Sequence, residues 1–219
     1  MKYSVFAFAV VLLGFAPLPL EVKVVIDRNT GTQATPQFKF EHVPSPVKDD
    51  AGAHAKLELV VGDRDGSGAG LSALTDGALP ASGDDPSSNF FFAAGTDGGR
   101  ILMDLGDPID IAEVNTYSWH AGTRGAQVFN LYVADGTEAK FNLKPDENTD
   151  PASCGWKLLA TVDTRPEHGS GGGQYGVSIA GTKGSLGKFR YLLFDTVPTE
   201  IDDPFGNTFL SEIDVVAKK

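Results

Sequence analysis

Residues 98–119 read GGRILMDLGDPIDIAEVNTYSW, and residues 126–134 read AQVFNLYVA. Both stretches consist of short apolar runs, and turn residues such as Gly, Asp and Pro separate the runs. Short runs rich in Val, Ile, Tyr, Phe and Trp between such turns are typical of β-strands. The two stretches therefore predict strands at residues 100–105, 111–119 and 126–134.

The same pattern continues in both directions along the chain. Seven further strand candidates lie at residues 21–26, 37–43, 54–61, 156–162, 174–180, 188–196 and 208–216. No window of a dozen residues repeats its apolar positions with the helical period, and 26 Gly and 13 Pro punctuate the 219 residues. This pattern predicts an all-β protein, specifically a β-sandwich of the jelly-roll kind. We expect one domain over residues 21–219, with residues 21–56 as an N-terminal strand extension.

The net charge of the chain argues against some classes of binding partner. Lys and Arg total 18 against 29 Asp and Glu, which gives a formal net charge of −11. Binding to nucleic acid or to anionic lipid needs clustered Lys and Arg, so the composition argues against both partners. Cys154 is the one cysteine of the sequence, which excludes an intrachain disulfide and a cysteine-rich zinc site.

The N-terminus resembles a secretory signal. Lys2 precedes an apolar run from Tyr3 to Phe15, as in the charged and apolar regions of signal peptides. The run is shorter than the ~20 residues that a membrane-spanning helix needs, and prolines follow it. We predict a signal peptide at residues 1–20 and a secreted, periplasmic or cell-surface protein. The alternative is a buried first strand.

Two acidic clusters suggest calcium, which prefers carboxylate and carbonyl oxygens. In the first cluster, Asp63–Gly70, the acids have the spacing of a calcium loop, but Leu74 occupies the position of the chelating Glu, which favours a glycine-rich turn. The second cluster, Leu74–Asn89, has no strand pattern and contains Asp76, Asp84, Asp85, Ser87 and Ser88. A loop of this length inside a compact domain is usually functional or held in place by a ligand.

An ordered set of motifs resembles the discoidin (coagulation factor V/VIII type C) family of the galactose-binding-like superfamily. The motifs are LTDG at 74–77, Phe90–Phe92, residues 98–119, FNLYVADG at 129–136, GWKLLATV at 155–162, RYLLF at 190–194 and SEIDVV at 211–216. The resemblance covers about residues 57–216 and implies a β-sandwich jelly roll with a structural calcium. It implies Asp76, Ser88 and Glu212 as ligands. The loop in this chain is longer than in the family and contains Asp84 and Asp85, of which we add Asp84 to the predicted ligands.

The resemblance also implies a sugar-binding site in loops at one end of the sandwich. A sugar has an apolar face that packs on an aromatic ring and a rim of hydroxyls that needs a few fixed polar groups. The candidates are Trp119, His120 and Arg124 between two strands, and Phe205 and Asn207 before the last strand. The alternatives are a core role for Trp119, a satisfied strand-end position for His120 and an ion pair for Arg124.

These features predict a non-catalytic binding module whose ligand is a glycan or another cell-surface molecule. A protein-interaction or structural domain on the same fold is the alternative. A glycan-active enzyme would need paired acids, such as Asp202 with Asp203 or Asp84 with Asp85. Adjacent residues in an extended segment point apart, so these pairs are poorly suited to acid–base catalysis.

Overall fold

The structure is a computed structural model that describes residues 21–200 and 205–219, so the predicted signal peptide lies outside the described residues. Eight strands form the described fold: β1 (Val22–Asn29), β2 (Lys56–Val61), β3 (Gly99–His120), β4 (Val128–Ala134), β5 (Lys157–Asp163), β6 (Gly173–Gly181), β7 (Gly187–Thr196) and β8 (Leu210–Ala217). All strand pairs are antiparallel. No helix in the described part of the chain is long and apolar enough to cross a membrane.

The long strand β3 belongs to both layers of the structure. Its first half pairs with β2 and β7, and its second half pairs with β6 and β8. The prediction of separate strands at 100–105 and 111–119 is wrong, because the chain stays extended between them. The pairing with β7 shifts between Asp104 and Ile109, a stretch that contains Gly106 with a positive φ of 85°. A glycine in the left-handed region lets the strand bend there from one layer into the other.

The two layers have the strand orders β2-β3-β7-β4-β5 and β1-β6-β3-β8. Their facing sides form one apolar core, to which the first layer contributes Ile101 and Phe194 and the second contributes Val177, Ile213 and other side chains. Burying each such side chain stabilises the fold by roughly 1.5–3 kcal/mol. The predicted all-β sandwich of the jelly-roll kind is confirmed.

Residues 30–55, here called the cover segment, lie over the outer face of the second layer. The predicted strand at 37–43 is wrong, because this segment forms no strand although Phe38 and Phe40 alternate with polar residues. Phe38 is instead buried with a positive φ of 46°, and its ring packs edge-on against Tyr117 and Trp119. Farther along, the Ala51 N–H donates to the Val215 carbonyl and covers the otherwise open edge of β8.

The loop between β4 and β5, residues 135–156, covers the outer face of the first layer. Trp156 in this loop is buried in a cluster with Leu102, Tyr132 and Leu193 of the sheet. Its indole N–H donates to the Asn142 carbonyl at 2.8 Å, so its polar atom is also satisfied. Irregular segments therefore cover part of each outer face of the sandwich, while Ile26 on β1 and Leu158 on β5 remain exposed.

Several loops meet at one end of the sandwich, which we call the loop end: residues 90–98, 121–127, 164–172 and 205–209. The Thr208 hydroxyl donates to the Ala126 carbonyl at 2.8 Å, and the Thr164 N–H donates to the Gln127 carbonyl at 2.9 Å. These bonds join loops that follow different strands. The loop end is the place where the predicted ligand residues can meet.

Candidate functional site

Trp119 lies beneath the cover segment rather than on the surface. Its side chain is 7% exposed, and its ring centroid is 5.7 Å from that of Phe38 in an edge-to-face contact. Val43 and Tyr117 complete the same buried cluster. An aromatic ring in this position presents no open face on which a sugar could stack.

Arg124 lies at the loop end against two aromatic rings. Its guanidinium carbon is 4.0 Å from the ring centroid of Phe209 and 4.7 Å from that of Phe91. Those two rings stack on each other at 4.1 Å. The Arg124 Nε–H donates to the Asn207 carbonyl at 3.2 Å, and the Arg124 carbonyl accepts the Phe209 N–H at 2.9 Å. Arg124 therefore joins the loop after β3 to the segment before β8.

Asn207 supports the neighbouring loop from inside. The residue is buried, and its amide Nδ2 donates to the Ala93 carbonyl at 3.1 Å and lies 3.4 Å from the Phe92 carbonyl. These contacts fix the backbone at the start of the loop that runs to Gly99. The side chain is turned toward the protein, so its contribution to a ligand site is positional.

His120 is half-buried beside Phe209, with the two ring centroids 4.6 Å apart. Its Nδ1 accepts the Gly122 N–H at 2.9 Å. Burial lowers the pKa of His120, and the nearby Arg124 charge lowers it further. A neutral imidazole that accepts at Nδ1 carries its proton on Nε2, so the ring can donate one hydrogen bond to a ligand.

Phe205 is the exposed aromatic residue of the loop end, with 54% of its surface accessible. It lies four positions before Phe209, whose ring contacts both His120 and Arg124. The structure thus brings His120, Arg124, Phe205 and Asn207 to one end of the sandwich and places Trp119 behind them. The paired acids Asp202 and Asp203 lie outside the described residues.

Sequence reasoning missed a groove of about 530 Å³ at the same end. Its lining includes Gly62, Thr96, Asp97, Glu147 and Asn148. The glycine-rich run Gly95–Gly99 was the available signal, because a Cβ on Gly98 would lie 2.1 Å from the Thr196 carbonyl oxygen. Only glycine permits the approach of this backbone to β7.

A buried arginine forms the inner wall of this groove. The Arg100 Nε–H donates to Asp195 Oδ1 at 2.9 Å, and its Nη1 donates to the carbonyls of Asp146 and Thr149 at 2.5 and 2.8 Å. One guanidinium therefore holds the turn at 146–149 against the first layer. The wall residues Glu147 and Asn148 take their positions from this turn.

The proposed calcium ligands are only partly brought together. The Gly77 N–H donates to Glu212 Oε2 at 3.1 Å, across 135 positions of sequence, so the Asp76-Gly77 turn lies against the last strand. Glu212 is fully buried and its Oε1 has no partner among the described residues. Burial raises the pKa of Glu212 to about 9, and the charges of Asp214 and Asp76 contribute to the rise.

Asp84 and Ser88 make other contacts. Asp84 lies close enough to His120 for its charge to act on the imidazole, and the Ser88 N–H donates to the Asp85 carbonyl at 3.2 Å. Within residues 21–200 and 205–219, no three His, Cys, Asp or Glu side chains are grouped closely enough to hold a metal. Any ion bound at Glu212 must therefore take part of its ligands from main-chain carbonyls, Ser or water.

Comparisons with known proteins concern the fold. No protein family and no curated protein matches the sequence. Among solved structures, a chitosan-binding module of a chitosanase/glucanase from Paenibacillus sp. IK-5 is 18% identical, with 77% of this chain and 98% of that chain covered and a TM-score of 0.48. A fucose-binding module of Streptococcus pneumoniae is 12% identical, with 78% and 99% covered and a TM-score of 0.48.

A third similar structure is a module of a family 31 glycoside hydrolase from Clostridium perfringens, 13% identical, with 77% of this chain and 98% of that chain covered and a TM-score of 0.46. At these identities and TM-scores the similarity assigns neither a family nor a ligand to this chain. The molecule is a two-layered antiparallel β-sandwich, with its loops gathered at one end.

Proposed function

We propose that this chain is a non-catalytic module that binds carbohydrate at its loop end. The observation that carries the proposal is the exposed ring of Phe205 in the segment whose Phe209 ring packs on the imidazole of His120. An apolar ring with a nearby hydrogen-bond donor suits the two surfaces of a sugar. A module of this kind would act outside the cytoplasm, in agreement with the signal peptide predicted at residues 1–20.

The five predicted ligand residues have three roles in this proposal. Phe205 and His120 contact the sugar directly. Arg124 and Asn207 position the loops, because their polar atoms bond to neighbouring backbone carbonyls. Trp119 packs on Phe38 beneath the cover segment and makes no direct contact with the sugar.

Glycan-array binding followed by calorimetry tests the proposal. We expect Phe205→Ala to weaken glycan binding about three- to tenfold, because an aromatic contact contributes about 0.5–1.5 kcal/mol beyond buried area. Leu158→Ala is the matched control, since Leu158 is similarly exposed on β5 and lies on another surface. Wild-type protein that binds no glycan, or Phe205→Ala that binds as tightly as wild type, would contradict the proposal and favour a protein-interaction domain.

We further propose a structural calcium at Glu212. The fit rests on the unpartnered, buried Oε1 of Glu212 and on the Asp76-Gly77 turn that contacts the same carboxylate. A bound Ca²⁺ would supply the positive charge that this carboxylate lacks and would hold the turn against β8. Asp76 would provide a second carboxylate, and Ser88 and Asp84 are the remaining predicted ligands.

Chelation should lower the thermal midpoint of the protein. An ion that binds only the folded state adds RT ln(1 + [L]/Kd) to stability, about 2.7 kcal/mol at a hundredfold excess over Kd. Differential scanning calorimetry with added Ca²⁺ or EDTA measures this change. Glu212→Gln should abolish most of the calcium response, whereas Glu41→Gln, at an exposed position, should retain it. A midpoint that is the same in Ca²⁺ and in EDTA would remove the calcium from the proposal.

A further inference from the structure

A second group of acids lies between the cover segment and the sheet, two register positions from Glu212. On β3 and β8, Asn115 pairs with Asp214 and Tyr117 pairs with Glu212. Residues directly opposite each other in an antiparallel pair project from the same face, with Cβ atoms roughly 4.5–5.5 Å apart. Asn115 and Asp214 are 1% and 0% exposed, so this polar pair is enclosed beneath the cover segment.

Three oxygens in this region are buried and have no hydrogen-bond partner among the described residues: Asp50 Oδ2, Asn115 Oδ1 and Asp214 Oδ1. The other carboxylate oxygens are satisfied. Asp50 Oδ1 accepts the Val215 N–H at 2.8 Å, and Asp214 Oδ2 accepts the Val47 N–H at 2.9 Å. Each carboxylate is therefore fixed by backbone through one oxygen and left open at the other.

The surroundings supply no positive charge to these carboxylates. The ion pairs among the described residues involve other acids, and Lys48 on the cover segment is exposed. Burying a charged group without a partner costs several kcal/mol, so an arrangement of this kind calls for a compensating species.

We propose that a divalent cation of the Ca²⁺ type binds between Asp50, Asn115 and Asp214 and fastens the cover segment to β3 and β8. Two carboxylates and one amide supply the hard oxygen ligands that Ca²⁺ prefers, and carbonyls or water would complete its six to eight ligands. Asp50 belongs to the cover segment, whereas the other two ligands belong to the sheet. The bound ion would therefore connect two parts of the chain.

This site is separate from the calcium proposed at Glu212 and independent of carbohydrate binding. Calcium titration by calorimetry, on protein first dialysed against EDTA, should give two binding events per chain. Asp214→Asn and Asp50→Asn should each weaken one event at least tenfold, while Glu212→Gln weakens the other. Asp49→Asn, at an exposed neighbouring position, is the control and should leave both events unchanged.

Asn115→Asp is a further test, because its expected effect on the thermal midpoint in Ca²⁺ differs between a site that binds an ion and a site that does not. With an ion at this site, the added carboxylate should tighten calcium binding about tenfold and increase the rise in thermal midpoint on adding Ca²⁺. Without an ion, it adds a buried charge, lowers the midpoint and gains nothing from Ca²⁺. That result, or an Asp214→Asn variant that keeps both binding events, would overturn the proposal. Wild-type protein that gives no calcium response at this site would also overturn the proposal, and would mean that a protonated Asp214 donates a hydrogen bond to Asn115 Oδ1 instead.

Discussion

Trp119→Ala should lower the free energy of unfolding by about 3–5 kcal/mol, the usual cost of truncating a buried aromatic side chain. The indole is 7% exposed and packs edge-on against Phe38 with 5.7 Å between centroids. Its loss would leave a cavity beneath the cover segment. It would also remove the main contact of Phe38 with β3 near the loop end, so the cover segment should loosen at the same time.

Urea unfolding followed by far-ultraviolet circular dichroism measures this loss, and limited proteolysis reports the loosening of residues 30–55. Phe205→Ala is the informative comparison, because Phe205 is exposed and its loss should change stability by less than about 1 kcal/mol. Trp119→Ala is thus expected to lower stability, whereas Phe205→Ala is expected to lower glycan affinity. A Trp119→Ala protein as stable as wild type would contradict the core role of Trp119 and would again favour a direct contact of Trp119 with the sugar.

The two readings of Trp119 could not be separated from the sequence. A strand such as 111–119 shows which residues alternate, and Val114 does lie in the core between the layers. The opposite side of the same strand is also buried, because residues 30–55 cover it. The sequence predicts a strand in that segment, because Phe38 and Phe40 alternate with polar residues. The same alternation is also compatible with an irregular segment that is held by two buried aromatic side chains.

For the last strand too, the sequence pattern indicates which side chains face the core but not what covers the opposite side. The alternation in SEIDVV agrees with the structure, in which Ile213 and Val215 lie in the core. It leaves open whether Glu212 and Asp214 face water or protein, and both prove to be fully buried. Their cover comes from segments about 135 and 167 positions away, through the Gly77 and Val47 amides. Periodicity within one strand carries no information on such partners.

The groove at the loop end could not be predicted from the sequence, because it too depends on a contact between distant residues. Its inner wall depends on the pairing of Arg100 with Asp195, 95 positions apart, in a chain with 18 basic and 29 acidic residues. Nothing in the sequence selects that pair from the many alternatives. The meeting of the Asp76-Gly77 turn with Glu212, by contrast, could be predicted because an ordered family pattern specifies both positions.

Arg100→Met should lower the free energy of unfolding by about 3 kcal/mol. Breaking a buried ion pair costs roughly 3–5 kcal/mol, and the low end applies because the Asp195 side chain keeps 24% of its exposure. Methionine replaces the apolar stem of the arginine but none of its donors. Asp195 and the carbonyls of Asp146 and Thr149 would then lose the group that now satisfies them.

Arg165→Met provides a matched comparison, because Arg165 also pairs with an aspartate, Asp163, at 2.6 Å but in an exposed setting. Exposed ion pairs contribute about 0–1 kcal/mol, so this variant should differ little from wild type in chemical denaturation. Hydrogen exchange adds a local readout, since loss of Arg100 should speed exchange in the turn at 146–149 more than in β4. Equal stability losses in the two variants would mean that burial of Arg100 contributes nothing beyond an exposed pair. The wall of the groove would then be held by the packing of residues 135–156 alone.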